Sequence, residues 1–121
     1  MFNIDVVVRE YDVHVIVALR GELDMADAAE VSGALTAVAA GRQKTIVDLA
    51  GLVFVDCSGA AALVRAQRQV RRSGGNLLLA APQPRVRRVF VLSHLINEVC
   101  LHASVEQAAG VCEFPGRASL F

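Results

Sequence analysis

A chain of 121 residues, 55% of them hydrophobic, has room and material for one core and one domain, which excludes extensive disorder. No apolar run approaches the roughly 20 residues a membrane-crossing helix requires. Twelve basic and twelve acidic side chains cancel to zero net charge, which argues against a general binder of nucleic acid.

The charges are nevertheless unevenly placed. Nine acids and four bases precede Cys57, whereas three acids and eight bases follow Asp56, so the two parts differ as −5 and +5. The opening Met1-Phe2-Asn3-Ile4-Asp5 has neither a basic nor an apolar leader segment, and a cytoplasmic protein is expected. Cys57, Cys100 and Cys112 fall at scattered spacings that form no metal pattern with His14, His94 and His102. Buried reduced thiols are the expectation, with no metal and no cofactor.

Ile4 to Arg9 and Val13 to Leu19 are β-branched runs separated by Glu10-Tyr11-Asp12 and predict a β-hairpin, with Ile4, Val6 and Val8 on one face. After Gly21-Glu22-Leu23, Asp24 suits a helix N-cap, and Asp27 falls in the first turn, where the helix dipole favours an anion. Ala28, Val31, Leu35 and Val38 then form one apolar stripe that ends near Gly41. Lys44 to Leu49 reads as a short strand, and Leu52 to Val55 as an apolar approach to Asp56-Cys57-Ser58-Gly59.

A second helix is expected from about Ser58 to Arg72. Ala62, Leu63, Ala66 and Val70 face inward, and Arg65, Arg68, Arg71 and Arg72 lie outside the stripe. Gly74-Gly75 ends it, and Asn76 to Ala80 forms a strand parallel to its predecessor. A third helix starts near Pro84 and turns Val86, Val89 and Phe90 inward. Glu98 to Leu101 reads as a last strand, and Ser104 with Gln107 makes a capping box for a short helix. Residues 110–121, with Gly110, Pro115 and Gly116, read as a loosely held tail behind a domain at 1–109. The pattern is α/β: a hairpin feeding a mixed sheet covered by helices.

The segment Val53 to Gly59 concentrates the chemistry, because it sets a hydroxyl and a carboxylate at the mouth of a helix. Free amides at a helix start receive anions, so Ser58 is able to carry a phosphoryl group there. On spacing alone, Ser58 reads first as the helix cap, with Asp56 serving the loop. A serine-hydrolase elbow lacks its leading Gly, and a Cys57 nucleophile is disfavoured by the adjacent Asp56. The arginines at 65–72 and at 85, 87 and 88 lack the aromatic neighbours that stack on bases, which leaves a solvated face or a face for an acidic protein partner. No nucleotide-binding glycine motif is present in the sequence.

Gly21-Glu22-Leu23-Asp24, Val47-Asp48-Leu49, Val53 to Gly59, Gly74 to Leu77, Pro84 to Phe90 and Leu92-Ser93-His94-Leu95 resemble, in this order, the signatures of bacterial anti-sigma factor antagonists of the STAS-domain family. The resemblance spans about residues 4 to 108. It implies a single STAS-like domain and a binding protein rather than an enzyme. The implied partner is an anti-sigma factor with kinase activity, bound while the serine is unmodified, and a phosphatase reverses the phosphorylation. No nucleic acid and no membrane is implied. Ser58 matches the phosphorylated position, and Asp24, Asp56, Cys57, Ser58 and Gly59 match the partner-binding surface. Cys57 replaces the first residue of the family's hydroxyl pair. Ala60-Ala61 replaces a common Leu-Gly, which is expected to remove an apolar knob from the partner surface. The alternative implied by the same fold is a stand-alone STAS subunit of a lipid-transport ATPase or of a stress-signalling assembly.

Overall fold

The computed structural model describes residues 4–11 and 14–110. Val13, Cys112 and the predicted tail beyond Gly110 lie outside them. Strands β1 (Ile4–Glu10) and β2 (His14–Leu23) pair antiparallel, as their alternation predicts, with Val6 opposite Leu19 and Val8 opposite Val17. Helix α1 (Met25–Ala39) then carries the chain back to β3 (Lys44–Val55), which lies parallel to β2. Helix α2 (Cys57–Arg72) returns it to β4 (Leu77–Ala80), parallel to β3. Helix α3 (Pro84–Leu92), β5 (Leu101–His102) and α4 (Val105–Ala109) complete the order. The sheet runs β1-β2-β3-β4-β5, mixed only through its antiparallel first edge.

The period of two along each strand sorts the side chains into two layers. Val17 and Leu19 of β2, Val47 and Leu49 of β3, and Leu77 and Leu79 of β4 face the main core with Val31, Leu35, Leu63 and Phe90 from the helices. Ile46, Leu78 and Ala80 point the other way, where Ala108 of α4 covers them. Val6 and Val8 share the main-core face but stand exposed at its rim, Val6 at an open gap beside Val31 and Ala34 of α1.

Three expectations are corrected. The run Leu52 to Val55 is not an approach after a short strand: β3 continues to Val55, and a register shift between Gly21 and Glu22 on the β2 side leaves both Val53 and Phe54 exposed. The last strand is not Glu98 to Leu101. Ile96–Glu98 forms a 3₁₀ turn, and only Leu101 and His102 find partners along β4. The thiols of Cys57 and Cys100 are exposed rather than buried, since one opens α2 and the other precedes β5.

Lengthening β2 and β3 past β4 has a positional effect. Their last pair is Leu23 with Val55, so two parallel neighbours end side by side. Helices α1 and α2 therefore start next to one another, at the carboxyl end of the sheet.

Candidate functional site

The paired strand ends place Asp24 and Asp56 in equivalent positions, each the N-cap of the helix that follows. The Asp24 carboxylate accepts from the Ala26 amide at 3.0 Å. Asp56 does more. One carboxylate oxygen accepts from the Gly59 amide at 2.7 Å, and the other accepts from the Met25 amide at 3.1 Å, across at the start of α1. One side chain thus satisfies a first-turn donor of each helix. The Asp56 amide in turn donates to the Leu23 carbonyl at 3.2 Å, which closes the junction.

Asp56, not Ser58, is the cap of α2. An aspartate can reach the amide three residues on from its extended N-cap conformation, with φ −99° and ψ −178°. Ser58 consequently falls at the second helical position with its hydroxyl free of hydrogen bonds to the described residues. The first-turn amides of Cys57 and Ser58 have no intrahelical acceptor. Ser58 is half-buried and Cys57 exposed.

Gly59 sits beneath this surface rather than on it. It is buried, and a Cβ there would meet the Leu23 carbonyl oxygen at 2.5 Å and Val55 Cγ2 at 2.8 Å. Only a residue without a side chain lets α2 approach the end of β2 so closely. Ala60 is also fully buried, so a larger residue there would enter the core; the expected loss of an apolar knob from the partner surface does not apply at that position.

Between the two helix starts lies an open cleft of about 430 Å³. Met25, Ala28 and Ala29 of α1 form one wall, and Cys57, Ser58, Ala61 and Arg65 of α2 form the other. The structure brings Asp24, Asp56, Cys57 and Ser58 together, with Gly59 as their support. Sequence reasoning missed Met25, which is 74% exposed beside Ser58, and left Arg65 as one arginine among several. Met25 sits off the apolar stripe of α1, and that was its only signal. Among the described residues, no cluster of His, Cys, Asp or Glu is placed to hold a metal ion, and no helix is long and apolar enough to cross a membrane.

A model of the STAS domain matches residues 5–108, nearly the whole described chain. An anti-sigma F factor antagonist from Lysinibacillus sphaericus is 32% identical over 109 residues, covering 88% of this chain and 90% of that protein. The chain belongs to the STAS-domain family of anti-sigma factor antagonists. Among solved structures, an anti-sigma factor antagonist from Mycobacterium paratuberculosis superposes with a TM-score of 0.76 at 25% identity, covering 88% of this chain and 91% of that one. The antagonist SpoIIAA in its unphosphorylated form gives 0.69 at 23% identity, covering 90% of this chain and all of that one. The same fold occurs inside a much longer protein: the structure of SLC26A9 matches with a TM-score of 0.73 at 14% identity, covering 84% of this chain but 20% of that one.

Proposed function

We propose that this STAS domain binds an anti-sigma factor that is also a kinase while Ser58 is unmodified, and that ATP-dependent phosphorylation of Ser58 ends the complex. A phosphatase acting on phosphorylated Ser58 restores binding, and the exchange takes place in the cytoplasm. The observation that carries this reading is the placement of Ser58. Its hydroxyl has no partner among the described residues, and it lines an open cleft at the start of α2. Family membership supports it, as does the fact that SpoIIAA has been solved in a phosphorylated as well as an unphosphorylated form.

The carboxylates have a structural role in this scheme. Asp56 has both oxygens engaged in holding the helix starts, and Asp24 has one. They present Cys57 and Ser58 on a fixed frame, and Asp24, Asp56, Cys57 and Ser58 form the contact surface supported by Gly59. An anion added in the first turn of a helix is favoured by roughly 0.3–1 kcal/mol, which Asp56 opposes in part. Phosphorylation is therefore a change of surface charge on an intact domain.

Affinity capture from the native cell with wild type and Ser58→Asp, read by mass spectrometry, tests the proposal. An ATP-binding anti-sigma factor is expected with wild type and not with Ser58→Asp, although both proteins give the same far-UV circular dichroism. Incubating the captured kinase, ATP and wild type should add one phosphate that Ser58→Ala does not accept. Full labelling of Ser58→Ala overturns the assignment, and capture of a transporter ATPase in place of an anti-sigma factor favours the alternative assembly.

A further inference from the structure

Helix α2 carries four arginines and no acid in its 16 residues, whereas neighbouring α1 carries Asp27 and Glu30 and no base in its 15. Steps of three and four residues place Ser58, Ala61, Arg65, Arg68 and Arg72 in one stripe along the outer side of α2. Arg65, Arg68 and Arg72 are all exposed. Arg68 pairs with the Glu98 carboxylate, which arrives from the 3₁₀ turn after α3. Arg65 and Arg72 have no acidic partner among the described residues, and Arg65 lines the same cleft as Ser58.

We propose that this stripe is the docking face for a carboxylate-bearing segment of the anti-sigma partner, with Arg65 as the residue that recognises it. The inference rests on the partner reading given above. Within the chain, Glu98 already places a carboxylate on the middle of the stripe, so the geometry accepts that group from a separate element. The number of unpaired cations on the stripe selects the class of partner. Of the stripe's three arginines, Arg65 and Arg72 lack an acidic partner among the described residues and stand about 10 Å apart, which suits one or two carboxylates of a protein, whereas a membrane surface or a nucleic acid, uniformly anionic, is held by a broader basic patch. The stripe also accounts for the switch. Arg65 lies seven residues beyond Ser58, about 10 Å along the helix. That is close to the Debye length of about 8 Å at physiological salt, so a phosphoryl dianion at the head of the stripe opposes an incoming carboxylate.

The test measures the dissociation constant for the captured anti-sigma factor at low and at physiological salt, for wild type, Arg65→Glu, Arg65→Gln and Arg87→Glu. Arg87 is an exposed arginine on α3 and matches the change in net charge. Arg65→Glu is expected to weaken binding at least tenfold, about 1.4 kcal/mol. Arg65→Gln should fall between it and wild type with a shallower salt dependence, and Arg87→Glu should stay within about twofold. Equal affinities for Arg65→Glu and Arg87→Glu overturn the proposal, as does an Arg65→Glu defect confined to binding of a DNA duplex. Ser58→Asp in the same assay separates the two readings. Loss of binding by Ser58→Asp with retention by Arg65→Glu removes only the docking face. Retention by Ser58→Asp with loss by Arg65→Glu removes only the partner switch, and no complex with wild type removes both.

Discussion

At the residue scale, two glycines make opposite demands. Gly59 lies where a Cβ would strike the Leu23 carbonyl, and that carbonyl already accepts the Asp56 amide. Relief of the clash therefore moves the junction that holds Ser58. Gly33, inside α1, has open space around the position of a Cβ. Alanine is the better helix former by up to about 1 kcal/mol at either site. At Gly33 nothing opposes that gain, so Gly33→Ala should raise the urea-unfolding free energy by about 0.5–1 kcal/mol. At Gly59 overpacking of about 1–3 kcal/mol outweighs it, and Gly59→Ala should lower the same quantity by about 1–2 kcal/mol. A stabilised Gly59→Ala protein would contradict the close approach described for α2.

At the scale of elements, α4 depends on chemistry that its five residues do not contain. The buried Lys44 of β3 donates from Nζ to the Ala109 carbonyl at 3.0 Å and reaches the Ala108 carbonyl at 3.4 Å, so a cation closes the C-terminal end of the helix. His102 stands in the adjoining strand with Nε2 buried and unbonded, and burial followed by the Lys44 charge lowers its pKa from 6.5. A His lowered in the folded state is neutral there while the unfolded chain still takes up a proton. Its contribution to stability is thus complete above about pH 6.5 and is lost as pH falls towards the lowered folded value. Wild type should lose stability between pH 7.5 and 5.5 in urea titrations, and His102→Gln should lose less over the same range. Equal slopes would show that the charged form is tolerated beneath α4.

The elements also show where sequence reading stops. The Asp24 cap, the apolar stripes of α1 and α2, and the Ser104–Gln107 capping box were legible because each is a local pattern with a local cause. The start of α2 was misread because Asp56 and Ser58 both make good caps; the fixed end of β2, whose Leu23 carbonyl takes the Asp56 amide, decides between them. β5 was misplaced because a two-residue strand carries no alternation, and its position is set by the exposed edge of β4. The cleft was not legible at all. It exists because β2 and β3 extend to one level, a matter of register between distant segments.

For the whole molecule, the family match ends at residue 108 and the last described helix at Ala109. We propose the domain boundary there. Beyond it, Phe114, Leu120 and Phe121 are scattered and make no periodic face. Removing residues 110–121 should change the urea-unfolding free energy by less than about 1 kcal/mol, since burying even one Phe well contributes roughly 1.5–3 kcal/mol. A loss of several kcal/mol on truncation would place those residues in the core.

One feature of the carboxyl end of the sheet bears on how fast such a protein answers a signal. A single aspartate ties the first turns of α1 and α2 to each other through its carboxylate and, through its backbone amide, to the end of β2. On the reading proposed above, a partner would meet a surface already ordered by these bonds, with little chain entropy to remove on docking. Association would then be limited by encounter, with no slow ordering step ahead of it. On the switch proposed above, a phosphoryl group added at Ser58 would have no loop to melt or refold in this frame, and the response would follow the chemistry without a structural delay.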